Sequence, residues 1–152
     1  MDTADVILLG IDSDQAPVVL EQALSLAQGL SARLLCVQVQ TGRLVADSLV
    51  NPPAAHPLDE PPEFDAELAQ RITAVTEQTS VPTELRMVSG DAGKALAAVA
   101  QEVGARVIVV GTRHAGLRSR FAELLDGSVA VYLAHHQPIP VMVVPQEVTP
   151  AP

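Results

Sequence analysis

The sequence predicts an α/β domain built on an open parallel sheet with helices on both faces. Three observations predict it. Short β-rich runs alternate with longer segments of helical period, five runs joined by four segments that contain helix. The runs are nearly unbroken in apolar character, as strands covered on both faces must be. Strands joined by helical crossovers run parallel, and such crossovers are right-handed.

Val6 to Ile11 is the first run, apolar except for its glycine. Pro17 to Leu30 follows with Leu20, Ala23, Leu24 and Ala27 at helical spacing. Asp12, Ser13 and Asp14 stand where a cap belongs, Pro17 suits a first turn because its missing N–H is not needed there, and Gly29 reads as the terminator. Leu34 to Val39 is the second strand. From Thr41 to Pro62 no period holds, and five of the twelve prolines fall between Pro52 and Pro62. Residues 42–62 therefore read as a variable loop, a length that marks a functional or mobile segment.

An acidic stretch, Asp59 to Glu67, leads into a helix expected from Glu63 to Thr79. Its carboxylates complement the helix dipole or serve a partner; the first is the simpler reading. Thr83 to Val88 alternates and reads as a strand near a sheet edge. Gly90-Asp91 turns the chain into an alanine-rich helix, Ala92 to Val103, ended by Gly104. Arg106 to Gly111 is a strand around four consecutive β-branched residues. Thr112 to Asp126 reads as a loop with some helical content. Val129 to His136 is a helix opened by Gly127-Ser128, and Val141 to Val144 is the last strand. Residues 1–146 are expected to form a single domain, with 147–152 a disordered tail.

Composition narrows the function. Leu, Val, Ile and Ala must build the core, since the chain has two Phe, one Tyr and no Trp. A net charge of −9 leaves no broad basic stripe for nucleic acid. The local exception is Arg113, Arg118 and Arg120, a solvated loop or an anion contact. Cys36, the sole cysteine, cannot form an internal disulfide and reads as a small buried hydrophobe. The acidic N-terminus is not a signal peptide, and no run approaches the roughly 18 apolar residues of a membrane span. The expected location is cytoplasmic.

No catalytic constellation stands out. His135 and His136 are adjacent on a helix and point apart, so no metal site is expected. No Gly-x-Ser-x-Gly elbow occurs, and the only lysine, Lys94, belongs to no phosphate-loop motif. The chain is read as a non-enzyme.

A strand ending in Asp12, the turn Ser89-Gly90-Asp91, the run Val109-Val110-Gly111-Thr112-Arg113, the segment Gly127-Ser128-Val129-Ala130 and the close Pro140-Val141-Met142-Val143-Val144-Pro145 together resemble the universal stress protein family. The resemblance spans 5–145 apart from 42–62. It implies a Rossmann-like sheet in the order 3-2-1-4-5, of the kind found in adenine nucleotide alpha hydrolases. It also implies a stress-response role and dimers paired through the last strand. Nucleotide-binding members of the family carry a glycine, two residues, a second glycine, nine residues, then Gly-Ser or Gly-Thr. Glycines let backbone N–H groups approach phosphates, and a helix N-terminus favours anionic charge.

The match here is partial. Gly111 stands in the first position and Gly127-Ser128 in the last, but His114 replaces the second glycine and the interval is three residues longer. Gly116 is the substitute glycine if the loop is remodelled, and Arg113 offers phosphates a side chain instead of a backbone N–H. By resemblance, Asp12 and Val37 flank the base, and Gly111, Gly127, Ser128 and Val129 face ribose and phosphates. Two readings stay open. One is a regulatory module for ATP or AMP, with or without Mg²⁺; the other is a dimeric interaction protein of the same fold whose site has decayed. On either reading Val141–Val144 is expected to pair two copies in a homodimer, because an exposed apolar edge needs a cover.

Overall fold

The computed structural model describes residues 4–40, 63–112 and 129–146. In chain order they form β1 (Val6–Gly10), α1 (Pro17–Gly29), β2 (Arg33–Gln40), α2 (Ala66–Thr76), β3 (Thr83–Ser89), α3 (Ala92–Val103), β4 (Val107–Gly111), α4 (Val129–His136) and β5 (Val141–Val144). The strands make one sheet in the order β3-β2-β1-β4-β5. Every pairing is parallel, with Leu8 set between Leu35 and Ile108. The order and sense expected from the sequence are those observed.

The core divides by side-chain parity. Odd positions of β1 (Ile7, Leu9) and even positions of β2 (Leu34, Cys36) pack against α1 and α2 through Val19, Ala23, Leu68 and Ile72. Val6 and Leu8, with Leu35, Val37, Ile108 and Val110, pack on the other face against Leu96 and Ala100 of α3 and Leu133 of α4. Leu8, Leu9 and Ile108 are fully buried, which is why the central strands read as continuous apolar runs instead of alternating ones. α3 and α4 come together because position 93 is glycine: a Cβ there would lie 2.7 Å from Tyr132 Cδ1. That contact seats α4, and with it Val129 at its first turn.

Helix ends depart from expectation at three places. The cap of α1 is Ala16, which makes no side-chain capping bond; the Asp12 carboxylate instead accepts the Ser13 N–H at 2.8 Å. Gly29 is the last residue of α1, and the left-handed position falls two residues later on Ser31, at φ 51°. α2 begins at Ala66 instead of Glu63, because Asp65 is its cap and accepts from the Glu67 and Leu68 N–H groups. Glu67 lies in its first turn, which is the dipole complement read from the acidic stretch. α3 follows expectation: the Asp91 carboxylate accepts the Lys94 N–H at 3.0 Å, and Gly104 ends the helix at φ 65°.

Candidate functional site

In a parallel α/β sheet, the strand exits on either side of an order reversal diverge to opposite faces and leave a crevice between them. Here β1 is flanked by β2 on one side and β4 on the other, and the chain leaves β1 into α1 on one face and enters β4 from α3 on the other. The reversal therefore lies between β1 and β4. The β1–α1 loop carries Asp12, and β4 ends at Gly111, so both stand at this crevice.

Asp12 is exposed, with one carboxylate oxygen accepting the Ser13 N–H and no second hydrogen-bond partner among the described residues. The loop around it is held from several directions. Gln15 donates through Nε2 to the Gly10 carbonyl at 3.1 Å. Arg71 of α2 donates to the Ser13 carbonyl at 3.0 Å. The Ala16 N–H donates to Gln146 Oε1 at 2.6 Å. On the far side of β1, the Ile11 N–H donates to the Val37 carbonyl at 3.0 Å. Val37 thus presents no side chain to the crevice: it is fully buried in the core, and its backbone closes the β1–β2 edge.

Gly111 is needed for close approach. A Cβ there would stand 2.8 Å from Gln146 Nε2 and 3.0 Å from Val19 Cγ2. The space its missing side chain leaves is thus occupied by the chain's own glutamine. The following residue, Thr112, donates its N–H to the Val144 carbonyl at 2.9 Å. Val129 is half-buried at the start of α4. Arg113, Gly116, Gly127 and Ser128 lie outside the described residues, as do His56, His114, Arg118, Arg120, the stretch 42–62 and the tail 147–152.

Four residues at this end of the sheet were not singled out by sequence reasoning: Gln15, Gln38, Arg71 and Gln146. Gln38 is the buried polar side chain of the described core, at 8% exposure, and its Oε1 accepts the Asp65 N–H at 3.1 Å, docking the start of α2 beside the β2 exit. A glutamine between Val37 and Val39 in an apolar strand run is the sequence signal by which Gln38 could have been found. Among the described residues no group of three or more His, Cys, Asp or Glu is placed to hold a metal ion. No helix there is long and apolar enough to cross a membrane. A separate pocket of about 160 Å³ opens at the opposite, amino end of the sheet, between Arg33, Pro82, Thr83, Arg86 and Val103.

Residues 3–145 match the universal stress protein family. The chain belongs to that family. A curated relative, universal stress protein Sll1654 from Synechocystis, is 35% identical over 115 residues, covering 72% of this chain and 71% of its own length. A universal stress protein from Archaeoglobus fulgidus superposes with a TM-score of 0.65 at 18% identity over 96% of this chain; the match spans 47% of that protein, about half its length. A universal stress protein solved in complex with cAMP superposes with a TM-score of 0.62 at 24% identity, covering 96% of this chain and all of the other. At these identities the structural likeness carries the fold.

Proposed function

We propose that this universal stress protein is a regulatory module that binds an adenine nucleotide, ATP or AMP, in the crevice between the β1 and β4 exits. The observation that carries the reading is the position of Asp12: an exposed carboxylate with spare acceptor capacity, held at the reversal point of the sheet opposite Gly111. Solved structures of family members in complex with cAMP, dAMP and AMP support it.

On this reading the Asp12 carboxylate accepts a hydroxyl or amino proton of the nucleoside, and the Val37 backbone borders the base. Arg113, Gly116, Gly127 and Ser128 serve the phosphates together with Val129 at the start of α4. Mg²⁺, where bound with ATP, would take Asp12 as its protein carboxylate. The chain acts by binding and not by catalysis, in the cytoplasm, as one domain over 1–146.

The homodimer belongs to the same proposal. Among the described residues β5 has a neighbour on one side only, and Val143 on it is 43% exposed. Pairing β5 with its two-fold copy would cover that edge. Light scattering of the wild type should give a dimer at micromolar concentration, and Val143→Lys should shift it to monomer.

A second reading, the interaction protein with a decayed site, is favoured by His114 in the glycine position and by the Gln146 carboxamide filling the space at Gly111. Calorimetry separates the two. Saturable binding of ATP or AMP at one site per chain, lost in Asp12→Ala, supports the first. No heat at millimolar nucleotide with folded protein supports the second.

A further inference from the structure

Gln146 lies two residues beyond β5, 130 positions from the loop it touches. Its backbone N–H donates to Thr112 Oγ at 2.9 Å. Its carboxamide donates through Nε2 to the Thr112 carbonyl and accepts the Ala16 N–H through Oε1. Since Thr112 also donates to the Val144 carbonyl, one side chain joins three strand exits: the β1–α1 loop, the end of β4 and the end of β5. Both of its neighbours depend on it in kind. Ala16 caps α1 without a side chain to satisfy a neighbouring N–H, and Gly111 has no Cβ to exclude the carboxamide.

We propose that Gln146 is a positioning residue of the crevice. It fixes the separation between the loop that carries Asp12 and the Gly111-Thr112 exit, and thereby sets the affinity for adenine nucleotide. This rests on the nucleotide-binding reading above. The argument is geometric. Asp12 lies four residues from Ala16 in an irregular loop, Arg71 grips that loop at Ser13 from the α2 side, and Gln146 is the brace that ties it to β4. Among the described residues it is the hydrogen-bonded link between the two walls, beside the packing of Val19 on Gly111.

The test uses the full chain with two substitutions. Gln146→Met keeps the length and volume of the side chain and removes its hydrogen bonds. Gln146→Glu keeps the acceptor for Ala16 and loses the donor to Thr112. Amide exchange at Ala16 is read by NMR, and AMP affinity by calorimetry. A matched control, Val103→Ala at the amino end of the sheet, reports the effect of general destabilisation.

Expected are fast exchange at Ala16 and about tenfold weaker AMP binding in Gln146→Met, the loss that follows from removing one or two hydrogen bonds. Intermediate affinity with slow Ala16 exchange is expected in Gln146→Glu, and unchanged affinity in Val103→Ala. Unchanged Ala16 exchange in Gln146→Met overturns the brace itself. Fast exchange with wild-type AMP affinity overturns its role in positioning. A wild type that binds no AMP refutes the nucleotide reading and the affinity part of the proposal with it, while Ala16 exchange still decides separately whether Gln146 holds the loop.

Discussion

Substituting Gly93 sets two effects of known sign against each other. Gly93 is buried in the first turn of α3, and alanine there gains about 1 kcal/mol of helix propensity over glycine. Against this, the new methyl carbon would lie 2.7 Å from Tyr132 Cδ1, 2.9 Å from Cγ and 3.1 Å from Cβ. Two of these are ring atoms and the third is the root of the side chain, so no flexible end can swing aside. The ring is also stacked on His136, centroids 4.6 Å apart at 29°, and retreat gives up that contact. Overpacking of this kind costs about 1–3 kcal/mol. The cost outweighs the gain, and Gly93→Ala should destabilise by about 1 kcal/mol, or a fall in melting temperature of roughly 2–4 °C for a domain of this size.

Urea and thermal unfolding of Gly93→Ala, Tyr132→Ala and the double variant measure it. The account predicts that alanine at 93 is destabilising beside Tyr132 and stabilising once the ring is gone, a coupling of about 1–2 kcal/mol. A Gly93→Ala variant more stable than wild type would show that α3 and α4 are not in this contact, and would remove the reason given for the seat of Val129.

Burial pushes the Cys36 thiol up to about 12, so native protein at neutral or mildly alkaline pH should not react with thiol reagents, and unfolded protein should react fully. The same shift gives a pH dependence. The native state favours the neutral thiol, so its contribution to stability is complete below the ordinary thiol value of about 8.5 and is lost as pH rises toward the native value; urea midpoints in alkaline buffer should fall less steeply in Cys36→Ala. Gly111→Ala should push the Gln146 carboxamide off Thr112 and crowd Val19, for a loss of about 1–3 kcal/mol by urea unfolding and fast exchange at Ala16. Asp65→Ala, which removes the cap on two N–H groups of α2, should cost about 1 kcal/mol.

Most of the fold is legible in the residues because both faces of the sheet are covered. Strands buried twice over must be apolar throughout, so β1, β2 and β4 announce themselves, and the helices between them carry a one-sided apolar stripe. The strand order came from the family resemblance and not from periodicity. What local pattern misread was the cap of α1, whose start at Pro17 is where the sequence put it. Asp12, Ser13 and Asp14 have the composition of a cap, yet the cap is Ala16 and the loop satisfies itself otherwise: Asp12 on Ser13, Gln15 on Gly10, Ala16 on Gln146.

The last of these spans 130 positions, and no local window relates residues so far apart. Glutamine carries no chemical signature that would single out Gln146, and Arg71 reads as one solvated charge among others on an amphipathic helix. From the sequence, Gly111 reads as a glycine that lets the backbone face ribose and phosphates. The group that approaches it, however, is Gln146 of the same chain, a partner that only the assembled sheet brings near.

The most direct test of the central claim is an NMR titration of isotope-labelled protein with AMP, following backbone amides. The account predicts saturable shifts concentrated at residues 11–16, at Val37 and Gln38, and at Gly111 and Thr112. Shifts confined to Arg33, Thr83 and Arg86 at the other end of the sheet, or none at millimolar AMP, would contradict it.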